Sequence, residues 1–169
     1  MRIKGVNVYV HWSVFLIVLL MLLNAGRKPV LTLAGIVSYL SVLLVHETGH
    51  LIAARRRGSY VEEIRLYPIH GKCYFQTPWS RFDHQVIAWG GVAAQAVIGV
   101  PLVLWIICFG YTRFDAVNAV LAILGGYSLC VAAFNLIPAK GLDGSIAWSI
   151  IPEWFRRRRA NGARRRKWQ

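Results

Sequence analysis

Two histidines and a glutamate stand together in the stretch LLVHETGHLIAARRRG, residues 43–58, inside an otherwise apolar run. His46 and His50 are four residues apart, so on a helix their imidazoles project from nearly the same face, one turn apart. That spacing allows both rings to bind one metal ion. Glu47, beside the first histidine, is then placed to act as a general base on a water at that metal. The HExxH pattern therefore predicts a hydrolytic zinc site.

An alternative interpretation leaves the metal out. In it, the two histidines hydrogen-bond to neighbouring helices and Glu47 is protonated in the core. The metal is the better prediction because ionisable side chains at membrane depth are costly and commonly functional. Two ligands are nevertheless too few, since a catalytic zinc normally has three protein ligands and one open position.

Asp143 is the candidate for the third ligand. It lies in FNLIPAKGLDGSIAWSII, residues 134–151, between apolar residues and beyond Pro138, which interrupts a helix. Irregular backbone at membrane depth is tolerated where it lines a buried or wet cavity, so a carboxylate here can face the histidines. On the residues alone, an aspartate in a surface loop remains the alternative. His70, in the turn of a predicted hairpin, is expected to be exposed to water and becomes the next candidate ligand only if Asp143 is not one.

The elements that position these residues are predicted to be membrane helices. The chain has 169 residues, is 56% hydrophobic and carries a formal net charge of +13, and its mean hydropathy is +0.46. A soluble domain of this size seldom reaches such hydrophobicity. Four apolar runs are each close to the roughly 20 residues that cross a bilayer. They are Val8 to Leu23, Val30 to Ala54, Val86 to Phe109, and Ala116 to about Ile137.

The first of these runs has a second interpretation, as a signal peptide, because Arg2 and Lys4 precede it. Its apolar region is longer than the 7–15 residues usual in signal peptides, which favours a membrane span. The three cysteines, Cys73, Cys108 and Cys130, show no metal-type spacing and are predicted to be free thiols.

Basic residues indicate the orientation of the spans. They precede the first span, fill the loop between the second and third, and fill the tail, whereas the opposite side has only Arg27, Lys28 and Arg113. The positive-inside rule therefore predicts that both termini and the central loop are cytoplasmic. Within that loop, residues 61–77 have a β-type composition around the turn PIHG, which predicts a short hairpin. An ordinary amphipathic loop is the alternative.

The predicted fold class is an all-α polytopic membrane protein with about four transmembrane helices, a short membrane-associated β-hairpin and a C-terminal interfacial helix. Residues 1–155 are predicted to form one domain, and residues 156–169 a basic cytoplasmic tail. The tail FRRRRANGARRRKWQ could in principle bind nucleic acid. Because it follows an apolar segment directly, anionic lipid headgroups are the predicted partner, and no nucleic acid is expected.

Two motifs resemble the site-2 proteases, which are intramembrane zinc metalloproteases. HETGH at 46–50 matches the first motif, and NLIPAKGLDG at 135–144 is similar to the second, an Asn with a Pro three later and a Leu-Asp-Gly. GGVAAQ at 90–95 resembles the small-residue stretch of the family's middle core helix, with Gln95 where an Asn is common. VYVHWSVFL near the start resembles the sporulation-type branch. The resemblance covers about Val6 to Trp148, a minimal core without the PDZ or CBS-type domains of some members.

The resemblance implies a set of roles for this chain. Asp143 would be the third ligand of one zinc ion per chain, and Asn135 would orient the substrate carbonyl or stabilise the oxyanion. The site would be reached from the cytoplasmic side of a membrane, and we expect a bacterial plasma membrane. The hairpin is expected to pair its edge with an unwound substrate.

The predicted function is therefore hydrolysis of peptide bonds within or next to transmembrane segments of membrane-protein substrates. Substrate selection is expected to come from the spans, the hairpin or a separate regulatory membrane protein. One alternative is a catalytically silent membrane protein of the same fold that binds transmembrane partners. The complete set of His46, Glu47, His50 and Asp143 argues against it. A zinc transporter would require further ligands along the membrane, and the sequence has none.

Overall fold

The computed structural model describes residues 2–3, 5–23, 25–68, 71–152 and 154, and within them the chain is mostly helical. The strands are β1 (Arg2–Ile3), β2 (Val6–Val10), β3 (Val61–Leu66) and β4 (Gly71–Phe75). The helices are α1 (Trp12–Leu22), α2 (Pro29–Arg56), α3 (Arg81–Phe109), α4 (Asp115–Val120), α5 (Ser128–Asn135) and α6 (Gly144–Ala147). A π-helical segment, Leu121–Tyr127, joins α4 to α5, so that Asp115–Asn135 forms one continuous helix.

Three of the described helices are long and apolar enough to cross a bilayer, namely Pro29–Arg56, Arg81–Phe109 and Asp115–Asn135. They correspond to the second, third and fourth predicted spans, and by length and composition they indicate an integral membrane protein. The predicted basic tail and Glu153 lie outside the described residues. The helix that begins the predicted interfacial segment is α6, which has 4 residues.

The first predicted span, Val8 to Leu23, is wrong in its boundaries. Its first three residues belong to β2, and helix α1 has only 11 residues. At 1.5 Å per residue this helix is about 16 Å long, well short of the ~30 Å hydrocarbon core. The physical reason is the alternation of valines in VNVYV, which buries Val6 and Val8 and exposes Asn7 between them. His11 then starts the helix, because its ring accepts a hydrogen bond from the Ser13 N–H.

The predicted hairpin is present, but it belongs to a larger sheet. The strand order is β1-β2-β3-β4, with β2 parallel to β3 and β3 antiparallel to β4. Strand β4 therefore lies at one edge of the sheet. The Tyr39 hydroxyl on α2 donates to the Pro68 carbonyl at 2.7 Å, which fixes the start of the hairpin turn. The turn residues Ile69 and His70 themselves lie outside the described residues.

One face of the sheet packs on the helices and forms a single hydrophobic core. The strands contribute Val6, Val8, Val61, Ile64 and Leu66, and the helices contribute Val14, Tyr39, Leu43, Leu51, Ala54 and Ile87. Helix α2 carries Leu43 and Leu51 on either side of the HExxH segment. Burial of this core therefore holds that segment against the hairpin.

Helices α2 and α3 make a close backbone contact at two glycines. A Cβ on Gly49 would clash with the Gly90 carbonyl oxygen, and a Cβ on Gly90 would lie 2.7 Å from the Gly49 carbonyl oxygen. Ala94 also contacts this point, since its Cβ would be 2.7 Å from a Cβ on Gly49. Small residues at such a crossing let membrane helices approach closely. Gly49 lies between His46 and His50, so this contact sets how closely the two histidines approach α3.

We predict that Gly49→Ala and Gly90→Ala each destabilise the fold by roughly 1–3 kcal/mol, because the added methyl group must push the helices apart. Gly126→Ala is the matched control, since a Cβ there meets no atom within 4 Å. Thermal unfolding of the detergent-solubilised variants measures the difference. Equal melting temperatures for Gly49→Ala and Gly126→Ala would contradict the proposed packing.

Candidate metal centre

The two histidines of the HExxH segment are buried on one face of α2, and each is held by helix α3. Nδ1 of His50 donates to the Ile87 carbonyl oxygen at 2.8 Å. Nδ1 of His46 lies 2.9 Å from Oε1 of Gln95 and donates to it. A carbonyl oxygen only accepts, so both hydrogen bonds place the ring proton on Nδ1. In each ring the Nε2 lone pair is then available for a cation.

Asp143 completes a compact cluster with these histidines. Its Oδ2 lies 3.1 Å from Nε2 of His46 and 3.1 Å from Nε2 of His50, and the two Nε2 atoms are 3.1 Å apart. Ligands of a tetrahedral zinc at 2.0–2.1 Å are about 3.3 Å from one another, so the spacing fits such an ion. Three acceptor atoms that share no proton would repel one another without a cation among them. The donor set and its spacing therefore fit zinc.

The chain returns Asp143 to the histidines through a tight turn after α5. Gly141 has a φ of +95°, which favours glycine, and a Cβ on Gly144 would clash with the Leu136 carbonyl oxygen. The indole N–H of Trp148 donates to the same carbonyl oxygen at 2.6 Å. The indole N–H of Trp89, on α3, donates to the Ala147 carbonyl oxygen at 3.0 Å. These contacts fix the turn against α3, and the predicted break in the helix is confirmed.

Glu47 is 1% exposed and its two carboxylate oxygens are in different environments. The backbone N–H of Gly71, the first residue of β4, donates to the carboxylate. The other oxygen, Oε2, has no hydrogen-bond partner within the described part of the chain. A Cβ on Gly71 would collide with the Glu47 carboxylate, so any larger residue here would displace that carboxylate. The hairpin thus holds one oxygen of Glu47 and leaves the other available.

A cavity of about 260 Å³ connects the cluster with the hairpin. Glu47, His50 and Asp143 form one side of it, and all five residues of β4, Gly71–Phe75, form another. Asp143 is partly exposed, whereas both histidines are buried. The edge strand of the sheet therefore borders the same space as the candidate metal ligands.

Cys73 also borders this cavity, but it does not join the cluster. Among the described residues, the only group of three or more potential metal-binding side chains is His46, His50 and Asp143. Burial, together with a smaller effect of the charge of Glu47, raises the pKa of the Cys73 thiol to about 12. The thiol therefore stays protonated at neutral pH, and a protonated thiol is a poor metal ligand. All three cysteines are free, as expected.

Asn135 and His70 are the other residues that the sequence analysis proposed for the site. Asn135 is buried at the end of α5, where its amide Nδ2 donates to the Val131 carbonyl oxygen at 3.1 Å. No described hydrogen bond joins it to the cluster. His70 lies outside the described residues.

Sequence reasoning missed the hydrogen-bonding role of Gln95 and the contact of Gly71 with Glu47. Gln95 could have been suspected as a polar amide within an apolar run, whereas Gly71 gave no signal.

Comparison with known proteins identifies relatives of the chain. No family model matches the chain. The Synechocystis protein sll0528 and Rip3 of Mycobacterium tuberculosis, which both carry zinc metalloprotease in their names, are each 31% identical to it. These matches cover 86% and 85% of this chain and 43% and 40% of the relatives. The zinc metalloprotease MJ0392 of Methanocaldococcus jannaschii is 28% identical over 85% of this chain and 42% of its own length.

A solved structure has the same fold. The site-2 protease from Methanocaldococcus jannaschii superposes with a TM-score of 0.69 at 23% identity, over 89% of this chain and 69% of that one. The fold and the cluster define a helical membrane protein with a candidate HExxH metal centre. The chain is thus similar to zinc metalloproteases in sequence and to a site-2 protease in fold. It spans less than half the length of the curated relatives that it matches.

Proposed function

We propose that the chain is an intramembrane zinc metalloprotease that hydrolyses peptide bonds within or next to transmembrane segments of membrane proteins. One observation carries the proposal. Three acceptor atoms of His46, His50 and Asp143 lie 3.1 Å from one another, next to the buried carboxylate of Glu47. The names of the relatives and the shared fold support the same chemistry.

In this proposal the two Nε2 atoms and the Asp143 carboxylate hold one zinc ion. When bound, the ion supplies Lewis-acid polarisation of the scissile carbonyl and of the attacking water. Glu47 Oε2, which has no described partner, accepts the proton from the water and later returns it to the leaving amine. The Gly71 N–H holds the other carboxylate oxygen, so Oε2 is kept in place for this transfer.

Asn135 is the proposed donor to the substrate carbonyl. A primary amide carries two N–H groups, and the described bond to Val131 uses one of them. The second N–H is available to a developing oxyanion, which is stabilised most by donors fixed in advance. The hydrogen bond to the helix backbone provides that fixation.

A helical substrate hides its scissile amide in its own hydrogen bonds and must be unwound before cleavage. We propose that the unwound segment pairs with β4 as an added strand. Two facts support this: β4 is an edge strand, and its residues border the cavity next to Glu47 and Asp143. Main-chain pairing at a sheet edge accepts many sequences, because it reads the backbone of the bound peptide.

The proposed orientation places both chain ends and the β3–β4 hairpin on the cytoplasmic side of a bacterial plasma membrane. The excess of basic residues in that loop and at the ends supports this orientation. Anionic lipid headgroups are the proposed partners of the basic tail, and a separate membrane protein is the proposed regulator.

We predict that Glu47→Gln abolishes cleavage, with a loss of about 10²–10⁴-fold, because the amide cannot accept the proton. Proteoliposomes containing the purified protein and a membrane-protein extract are incubated, and new N-termini within transmembrane segments are identified by mass spectrometry. Glu62→Gln, at an exposed position on β3, is the control and retains wild-type cleavage. If Glu47→Gln produced the same set of N-termini as the wild type, the proposed function would be wrong.

Proline substitution along β4 tests the proposed strand addition. Each of Lys72→Pro, Cys73→Pro and Tyr74→Pro removes one backbone N–H from the strand. Among the variants that keep the wild-type melting temperature and zinc content, we expect at least one to lose cleavage by about tenfold or more, the scale of one or two backbone hydrogen bonds. Thr77→Pro, just beyond β4, is the control. Cleavage that is unaffected in every folded variant would rule out pairing with this edge.

A further inference from the structure

One side of helix α3 contacts the rings of both histidines. Ile87, Gly91 and Gln95 follow one another at intervals of four residues and so share this side. The Ile87 carbonyl oxygen accepts from His50, and the Gln95 side chain accepts from His46. Between them, a Cβ on Gly91 would lie 2.5 Å from Nε2 of His50 and 2.7 Å from Cε1 of His46. Helix α3 therefore sets the position of both imidazole rings.

The two hydrogen bonds differ in how strictly they fix the tautomer of each imidazole ring. The Ile87 carbonyl belongs to the backbone, so it can only accept, and His50 is held in one tautomer. Gln95 can present either its oxygen or its NH₂ group to His46. With the oxygen facing the ring, the proton lies on Nδ1 and Nε2 is available for a metal. With the NH₂ group facing the ring, Nδ1 would accept, the proton would lie on Nε2, and this nitrogen could not bind a cation.

The Nε2 atom of Gln95 does not stabilise the fold. Gln95 is 0% exposed, and its Nε2 has no hydrogen-bond partner in the described part of the chain. A buried donor without a partner destabilises a fold, so packing alone would favour an apolar residue here. The interaction that this side chain does make is the one with His46. Its presence is therefore explained by the orientation of that ring.

We propose that Gln95 is a positioning residue for the metal: its Oε1 holds His46 as the Nδ1–H tautomer and aims Nε2 at the point shared with His50 and Asp143. This inference rests on the proposed zinc site and identifies a residue that raises its affinity for zinc. Partners of this kind orient metal-binding histidines, and their loss typically weakens metal affinity 10–100-fold.

The test compares zinc affinity in four full-length, detergent-purified proteins by competition with a chromogenic chelator. Gln95→Met keeps the length of the side chain but has no oxygen acceptor, so we expect zinc to bind about 10–100-fold more weakly. Gln95→Glu restores an acceptor and is expected to bind zinc within a fewfold of the wild type. Gln85→Met is the matched control, because Gln85 is a buried amide on the same helix that donates to Ser149.

Thermal unfolding of the zinc-free proteins separates positioning from packing. Gln95→Met removes the unsatisfied donor together with the hydrogen bond to His46, and Gln85→Met likewise removes one unsatisfied amide atom and one hydrogen bond. Without zinc, the two variants are therefore expected to melt at similar temperatures. Weaker zinc binding in Gln95→Met, restored by Gln95→Glu and absent from Gln85→Met, supports the inference. Equal affinity of Gln95→Met and wild type, or a loss that Gln95→Glu does not restore, overturns it and leaves the three-ligand site intact. A wild-type protein that binds no zinc contradicts both this inference and the proposed function.

Discussion

The backbone contact between α2 and α3 at Gly49 and Gly90 controls the distances on which the candidate centre depends. Gly49 lies between the two histidines, and Gly90 lies one residue before Gly91, the position that makes room for their rings. If the helices were farther apart by the thickness of one methyl group, the hydrogen bonds of the rings to Ile87 and Gln95 would be lost. The same packing that stabilises the helix pair therefore orients the rings.

That contact also explains how polar groups are accommodated in an apolar helix pair. Each imidazole Nδ1 has a partner on α3, and each Nε2 faces the other ring and the Asp143 carboxylate. Buried polar groups are tolerated when their donors and acceptors are satisfied, and a cation would satisfy the three facing acceptors. The hairpin contributes in a different way, since the Gly71 N–H holds one oxygen of Glu47 and β4 borders the cavity. Helices thus position the ligands, and the sheet positions the proposed base.

Local patterns were sufficient to predict part of this arrangement. Three of the four predicted spans correspond to long described helices, because apolar runs of that length are visible as composition. The spacing of His46 and His50 is a property of one helix, so a shared face follows from the sequence alone. Asp143 was proposed from the break at Pro138 and from a resemblance to a family motif, because its separation of 93 residues from His50 leaves no local signal of their proximity. The role of Gln95 depends on how two helices cross, and side-chain types alone do not specify that geometry.

Strand β2 shows more clearly which parts of the fold local patterns do not predict. Val8 to Leu23 is largely apolar and was predicted as one span, yet its first residues pair with β3, more than fifty residues later. The alternation of Val6, Val8 and Val10 indicates a strand, but the hydropathy of the following helix conceals it. The parallel pairing with β3 is non-local, so it could be seen only in the folded chain.

Zinc X-ray absorption of the purified protein, with the Asp143→Ala variant measured beside it, tests the three-ligand site most directly. The wild type is expected to contain about one zinc per chain, with two imidazoles and further oxygen ligands at about 2.0–2.2 Å. The variant is expected to lose most of its zinc, because two histidines alone bind it weakly. Sulfur at about 2.3 Å would contradict this ligand set, since it would mean that a cysteine binds the metal. An unchanged zinc content in Asp143→Ala would also contradict it, because the third ligand would then lie elsewhere.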